Sequence, residues 1–356
     1  MAWNLLKELQ KFPDLEISVA LLNEGRLGRE LRSHGLEVRV FDEAKLSFPR
    51  LLLAVRALIR EKSPHVIHSH RYKENILAFL TRGTGNGRAR LVATQHGMPE
   101  IGHGSSGAAG RLAGGLNRYI LSRRFERVVG VSQDIRQKFI EQLGFSSERT
   151  TVIHNGIELP DPQPRSRKGA AMVVGSAGRL FAVKDYLLMV RIARELAGSG
   201  DICFRLAGDG PERAALEHSI REYGLDQAFA LKGNVDDMDS FYRELDIYLN
   251  TSLHEGIPMA ILEAMARGLP VIAPKVGGIT EIITDGVEGF LISSRDPRDF
   301  AIKCLEMSRN PDMREKMGRA AREKVLSHFS SVAMAGGYHR LYKDLACGLP
   351  EPLVAS

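Results

Sequence analysis

Cysteine is scarce and scattered: Cys203, Cys304 and Cys347 are the only three in 356 residues. An odd, unclustered set argues against a disulfide frame or a zinc site and fits a reducing compartment, with the thiols read as three buried small hydrophobes. Long apolar runs are missing too. No uninterrupted apolar segment approaches the roughly 20 residues that span a bilayer. The opening, Met1-Ala-Trp-Asn-Leu-Leu-Lys-Glu8, lacks an apolar signal core, so a cytoplasmic location is the expectation. No aromatic-rich basic stripe accompanies the charge, which speaks against nucleic acid as a partner.

What remains is the composition of a soluble globular protein, 44% apolar and 26% charged, long enough for a large core and two domains. The formal charge of +6 is uneven, with 24 Lys and Arg against 16 Asp and Glu through residue 160, and 25 against 27 beyond it. A basic first half suits an ordinary solvated surface, and also contact with anionic lipid headgroups or acidic substrates. Within it, Arg111 to Arg127 sets Arg118, Arg123 and Arg124 among Leu112, Leu116, Tyr119, Ile120 and Leu121. That pattern reads either as a core-facing helix with a solvated basic face or as a basic amphipathic face for an anionic membrane surface.

Strand and helix patterns alternate along the chain. Strands are expected over 16–22, 37–41, 65–69, 90–95, 127–131 and 151–154, with helices over 3–9, 26–34, 49–62, 73–82, 115–125 and 133–143. A second series has strands over 171–176, 202–207, 227–231, 246–250, 270–273 and 288–292, and helices over 184–197, 211–223, 238–244, 258–267 and 279–283. Helices over 296–308, 311–327 and 331–346 close it. Such alternation means an α/β protein of two doubly wound parallel sheets, whose ligands bind at the carboxyl ends of the strands. Leu159-Pro-Asp-Pro-Gln-Pro-Arg-Ser-Arg-Lys-Gly169, with three prolines, reads as a linker, and the Gly/Ser-rich Ile101 to Gly110 as a mobile loop. The expected division is a first domain over 1–160, a linker over 161–170 and a second domain over 171–330.

The stretch around which the second domain is organised is Ser252-Leu-His-Glu-Gly-Ile-Pro-Met-Ala-Ile-Leu-Glu-Ala-Met-Ala-Arg267. It follows the apolar Asp246-Ile-Tyr-Leu-Asn250 and opens a helix at Pro258, whose missing N–H suits a first helical turn. Backbone N–H groups of Gly256, Ile257, Met259 and Ala260 then point out of a helix start that favours an anion such as phosphate. Glu255 and Glu263 flank it, each able to accept sugar hydroxyls, so the arrangement suits a polyhydroxylated phosphate ester. A second strand end, Gly175-Ser-Ala-Gly-Arg-Leu-Phe-Ala-Val-Lys184, does not match the glycine spacing of a dinucleotide fingerprint; it supplies instead two cations, Arg179 and Lys184, able to clamp a diphosphate.

The Glu-x7-Glu spacing of Glu255 and Glu263, the wording of the stretch, and the sequels Gly268-Leu-Pro-Val-Ile272 and Gly277-Gly278 with Glu281 resemble the retaining, nucleotide-sugar-dependent glycosyltransferases of family 4, glycosyl transferases group 1. The resemblance implies the GT-B architecture over roughly residues 15–346, two Rossmann-like domains facing across a cleft, with the last helix, in 331–356, crossing back to the first domain. It implies that Glu255 binds donor-sugar hydroxyls and Glu263 the ribose. It implies also that Arg179 and Lys184 bind the donor diphosphate and stabilise its departure, and that His96 reaches the donor sugar or its phosphate, with His70 a weaker candidate. Gly178, Gly208, Gly233, Asn234 and Val235 would line the nucleotide beside Gly256 to Ala260. Asp185 stands where the family often has Gly, a change that lowers the local positive field. A further departure lies at the start, where the chain opens on what resembles the family's first helix, so the first domain is expected to lack its usual first strand and to carry an unpaired strand edge.

Each of these residues also has a plainer reading. Gly208 and Gly233 fit tight turns, and Val66-Ile-His-Ser-His70 is a weak metal pattern in which satisfied structural histidines are commoner. Asp237-Met-Asp239 spells the Asp-x-Asp that other glycosyltransferases use for a divalent metal, but it falls in a helix's first turn, where acids serve the dipole. The site is therefore expected to need neither metal nor cofactor. The expected activity is transfer of a sugar from a UDP- or GDP-sugar to an acceptor hydroxyl of a glycan or lipid-linked acceptor, in cell-envelope polysaccharide or glycolipid synthesis, at the inner face of the membrane. Two rivals are a nucleotide-sugar epimerase of the same fold, which converts donor without an acceptor, and a non-catalytic nucleotide-sugar-binding protein.

Overall fold

The computed structural model describes residues 1–84, 89–97, 108–161, 171–199 and 202–347, the side chains of 108–113 excepted. The chain divides into two compact units, one formed by Met1–Gly156 with Ser331–Ser356 and the other by Ile157–Ser330. The division lies four residues ahead of the expected 160, because Ile157 is buried and donates its amide to Phe329 O at 3.0 Å. Most of the expected linker, 162–170, and the Gly/Ser-rich 101–107 lie outside the described residues.

In chain order the first unit holds α1 (Ala2–Leu9), β1 (Ser18–Leu21), α2 (Arg26–Ser33), β2 (Glu37–Val40), α3 (Phe48–Lys62), β3 (Val66–Ser69), α4 (Tyr72–Thr81), β4 (Arg90–Gln95), α5 (Ala108–Arg124), β5 (Arg127–Gly130), α6 (Gln133–Glu141) and β6 (Thr150–Val152). All pairings are parallel, as short strands joined through helices require. The sheet is interrupted: β1 pairs with β2, β3 to β6 form a separate four-stranded sheet, and among the described residues no ladder joins them. Both pieces share one apolar layer under α3, where Leu51, Val55 and Ile59 meet Leu22 and Phe41, just past β1 and β2, and Ile67 of β3. This is the unpaired strand edge expected from the sequence. α5 begins a full turn or more ahead of the expected 115; Gly110, Gly114 and Gly115 weaken helix propensity without preventing the helix.

The second unit runs β7 (Met172–Ala177), α7 (Tyr186–Glu195), β8 (Ile202–Ala207), α8 (Arg213–Glu222), β9 (Phe229–Gly233), α9 (Met238–Arg243), β10 (Ile247–Leu249), α10 (Met259–Ala266), β11 (Val271–Pro274), α11 (Ile279–Ile282), β12 (Gly289–Ile292), α12 (Pro297–Arg309) and α13 (Pro311–His328). Its six strands form one parallel sheet in the order β12-β11-β10-β7-β8-β9. The order reverses between β7 and β10, so the crevice at their carboxyl ends is this unit's topological switch point. Val174, Phe204, Ile247 and Leu249 of the sheet pack with Leu188, Met189 and Ile192 of α7 and with Phe300 and Cys304 of α12. The last helix, α14 (Ser331–Ala346), packs in the first unit, where Met334, Ala335, Tyr338 and Leu341 meet Leu5 and Leu9 of α1.

Of the cysteines only Cys304 is buried, its thiol pushed up to about 12 by that burial; Cys203 is half-buried and Cys347, past the end of α14, is exposed. No helix among the described residues is long and apolar enough to cross a membrane.

Candidate functional site

The carboxyl ends of β7 and β10 carry the two loops that matter. After β7 the chain passes Gly178 and the exposed Arg179, makes a 3₁₀ turn over Ala182–Lys184, and enters α7 at Tyr186. The expected helix over 184–197 starts two residues late because Asp185 is its N-cap, accepting from Leu188 N at 3.3 Å, with a left-handed φ of 43°. After β10 the chain runs through the buried Thr251 and Ser252 to Glu255 and enters α10 at Met259. Pro258 is the N-cap rather than the first helical residue, and Gly256, Ile257 and Pro258 are buried while Met259 and Ala260 are half-buried.

The loops are bonded to each other. Leu253 N donates to Val183 O at 2.8 Å, and the Thr251 hydroxyl donates to Lys184 O at 2.9 Å. Lys184 Nζ reaches Glu255 Oε1 at 2.5 Å, and the Ser252 hydroxyl donates to the same oxygen at 2.6 Å. The ammonium has three donors and this contact uses one, so it can hold a phosphate oxygen as well. The guanidinium of Arg179 lies over the Phe181 ring, 4.9 Å from its centroid.

Backbone contacts fix this geometry from behind. Gly277 has a φ of 50°, and a Cβ there would sit 2.2 Å from Glu255 O, while the next amide, Gly278 N, donates to that oxygen at 3.1 Å. The Gly277-Gly278 pair therefore lets the α11 turn approach the Glu255 loop. On the other flank the turns after β7, β8 and β9 are stitched side by side: Gly178 N donates to Ala207 O at 2.9 Å and Gly208 N to Gly233 O at 2.7 Å. A Cβ at Gly208 would meet Gly178 O at 1.9 Å, so only glycine fits. Asn234 and Val235 follow β9, the strand at the sheet's edge, two strands beyond β7.

Glu263 is just over one turn into α10 and half-buried; burial holds its carboxyl above the usual range, opposed by the Tyr242 hydroxyl, which donates to Oε2 at 2.9 Å, and by Arg267. Arg267 in turn lies over the Tyr242 ring at 4.9 Å and donates to Asp239 at 2.9 Å. Asp237 is the N-cap of α9, accepting from Ser240 N at 3.0 Å. The Asp-x-Asp pair is thus occupied with a cap and an ion pair.

Three groups escaped sequence reasoning. Arg295, after β12, donates to Asp185, to Ser252 O at 3.1 Å and to Thr251 O at 2.8 Å. The Asp185 charge is therefore matched, which offsets the expected loss of positive field. Tyr242 and Ser252, the partners of the two glutamates, carry no spacing signal; the oddity of an aspartate at position 185 was the one hint of Arg295.

His96 belongs to the first unit. It is exposed past the end of β4, with Nε2 3.2 Å from Nδ1 of His70 and the two rings stacked at 5.5 Å. His68 is held by Tyr342 and Thr94, the satisfied structural histidine of the plainer reading.

Residues 1–160 match the family described as Glycosyltransferase Family 4, and residues 161–324 that described as Glycosyl transferases group 1. An uncharacterised glycosyltransferase of Methanocaldococcus jannaschii is 27% identical over 222 residues, 62% of this chain and 60% of that protein. The UDP-Gal:alpha-D-GlcNAc-diphosphoundecaprenol alpha-1,3-galactosyltransferase of Escherichia coli is 24% identical over 83% of this chain and 79% of its own. The solved structure of Anabaena HepE in complex with UDP-glucose is 21% identical and superposes with a TM-score of 0.83, covering 96% of this chain and 94% of that one. The chain therefore belongs to the family 4 glycosyltransferases of group 1 and has their GT-B fold.

Proposed function

We propose that the protein transfers a hexosyl unit from a UDP- or GDP-sugar to an acceptor hydroxyl with retention of anomeric configuration. The observation that carries this reading is the contact of Lys184 with Glu255 at the switch point, with Arg179 on the same strand end and Glu263 one turn inside α10. A diphosphate at the start of α10 meets Lys184 and Arg179, Glu255 is left to read sugar hydroxyls, and Glu263 the ribose. In this reading the departing diphosphate takes the acceptor proton, and the cations with the helix start stabilise the phosphate charge as it develops. Neither metal nor cofactor is needed, because the charge is met by side chains and amides. His96 is assigned to the donor sugar or its phosphate.

A lipid-linked or glycan acceptor of the cell envelope, met at the inner membrane face by the basic first unit, is supported by the named acceptor of the Escherichia coli relative. The test is a melting screen against UDP-, GDP- and ADP-sugars, followed by chromatography of donor and product with and without acceptor. Transfer only with acceptor present supports the reading. Donor conversion without acceptor assigns an epimerase, and nucleotide binding with no turnover assigns a binding protein.

A further inference from the structure

A concentration of positive charge lies in the first unit, which holds neither of the two loops just described. In the first unit a cavity of about 440 Å³ is lined by Arg82, Arg90, Arg123, Arg124, Arg127 and Arg149. Arg90 and Arg127 open β4 and β5, and Arg149 immediately precedes β6. The cavity is therefore at the amino ends of these strands, the opposite end of the sheet from His96. Two carboxylates, Glu126 and Asp344, face the six guanidiniums, and the buried Phe125 with Leu345 gives the cavity an apolar side.

Helix capping explains part of the cluster. The last carbonyls of a helix lack intrahelical donors, and here Arg82 donates to Arg124 O at 2.8 Å and Arg149 to Arg123 O at 3.3 Å. Arg127 likewise donates to Glu126 O at 2.9 Å. Each bond uses one of the five N–H donors on a guanidinium, so each of these side chains keeps donors for a further acceptor. Glu126 and Asp344 together offset at most two of the six positive charges. Oε2 of Glu126 accepts from Leu91 N at 2.7 Å, and its Oε1 is 3.7 and 3.8 Å from Arg82 and Arg90. A surplus of fixed positive charge in one concavity repels itself, and an anion removes that repulsion.

We propose that this cavity is a second anion site, which binds a ligand bearing a diphosphate or two phosphate groups, distinct from the donor crevice of the other unit. Guanidinium forks match phosphate oxygens bidentately, six of them exceed what one phosphate can use, and the apolar side accommodates what the phosphates are attached to. The phosphates come either from a soluble diphosphate compound or from the headgroup of an anionic lipid.

The test is calorimetric titration of the full chain with inorganic pyrophosphate at low salt, with saturating UDP present to fill the donor crevice, beside co-sedimentation with phosphatidylcholine vesicles with and without phosphatidic acid. The Arg124→Gln/Arg149→Gln double variant should weaken pyrophosphate binding at least about tenfold, since each change removes charge-assisted hydrogen bonds. An unchanged melting curve establishes that the variant is folded. If that curve falls, Arg124→Lys/Arg149→Lys takes its place: it keeps the charge, loses the forks, and should bind severalfold more weakly. Capture by phosphatidic acid vesicles that pyrophosphate competes away identifies the source as lipid; pyrophosphate binding without vesicle capture identifies a soluble ligand. No pyrophosphate binding beyond the UDP-blocked site, or binding lost in Lys184→Ala and kept in the arginine variants, overturns the proposal.

Discussion

Arg295 closes on Asp185 from the far side of the sheet, and with two further bonds to Thr251 O and Ser252 O it holds the Lys184 loop and the Glu255 loop in one frame. Arg295→Ala should therefore lower transfer by roughly tenfold or more, because loosened loops misplace both groups, while unfolding stability falls by about 1–2 kcal/mol. Urea melts and steady-state kinetics on the same preparation check both numbers. Wild-type activity in a folded variant would remove Arg295 from the site.

Position 185 separates backbone from side chain. Its φ of 43° is reached freely by glycine and at a cost by a residue with a Cβ. Asp185→Ala should be about 1 kcal/mol less stable than Asp185→Gly, although both lose the cap and the partner of Arg295. Equal melts for the two variants would mean that the left-handed turn is not maintained.

Lys184→Ala should reduce turnover on the order of 10²- to 10³-fold while UDP affinity changes only severalfold, since charge on the diphosphate grows as the sugar leaves. Turnover is read by UDP release and affinity by calorimetry. Unchanged turnover would show that the ammonium serves only to hold Glu255.

Much of this was legible in sequence because the chemistry sits on regular elements. Parallel strands carry continuous apolar runs such as Asp246 to Asn250, and the Glu255 to Glu263 spacing crosses a helix start marked by Pro258. The sheet interruption between β1 and β3 was legible only through the family resemblance, as the absence of the family's usual first strand. Tertiary partners were not: Arg295 comes from a loop 110 residues beyond Asp185, and Tyr242 reaches Glu263 from a helix 21 residues before it, separations that no period encodes. The start of α5 was missed because glycines at 110, 114 and 115 argue locally against a helix.

Glu263 should trade stability for binding. Burial raises its carboxyl above the ordinary 4.5, so the native state binds the proton more tightly than the unfolded chain does. Stability contributed by the protonated form is then complete below 4.5 and declines as pH rises through the raised native value. Glu263→Gln should accordingly melt higher than wild type near neutral pH and equally in acid. The same variant should bind UDP roughly 10- to 100-fold more weakly, the loss of a charged hydrogen-bond acceptor for the ribose. Higher melting with unchanged UDP affinity would leave Glu263 a buried acid without a ligand role.

Acid should act on the first unit through His68. Nδ1 of this ring lies 2.5 Å from the Tyr342 hydroxyl and Nε2 2.8 Å from Thr94 Oγ1, which itself contacts the Tyr338 hydroxyl at 2.7 Å. Burial, then the neighbouring His70 and His96, push it well below the ordinary 6.5, and burial with His96 pushes His70 down to about 3. The unfolded chain therefore takes up protons that the native state refuses, and stability is lost as pH falls below 6.5. Each imidazole adds at most about 1.4 kcal/mol per pH unit to that slope. His68→Gln can still donate and accept, so it keeps the two hydroxyls satisfied without titrating. Its unfolding free energy, measured by urea melts between about pH 7 and about pH 5, should fall less steeply than wild type by up to that amount. Parallel slopes would locate the acid sensitivity elsewhere.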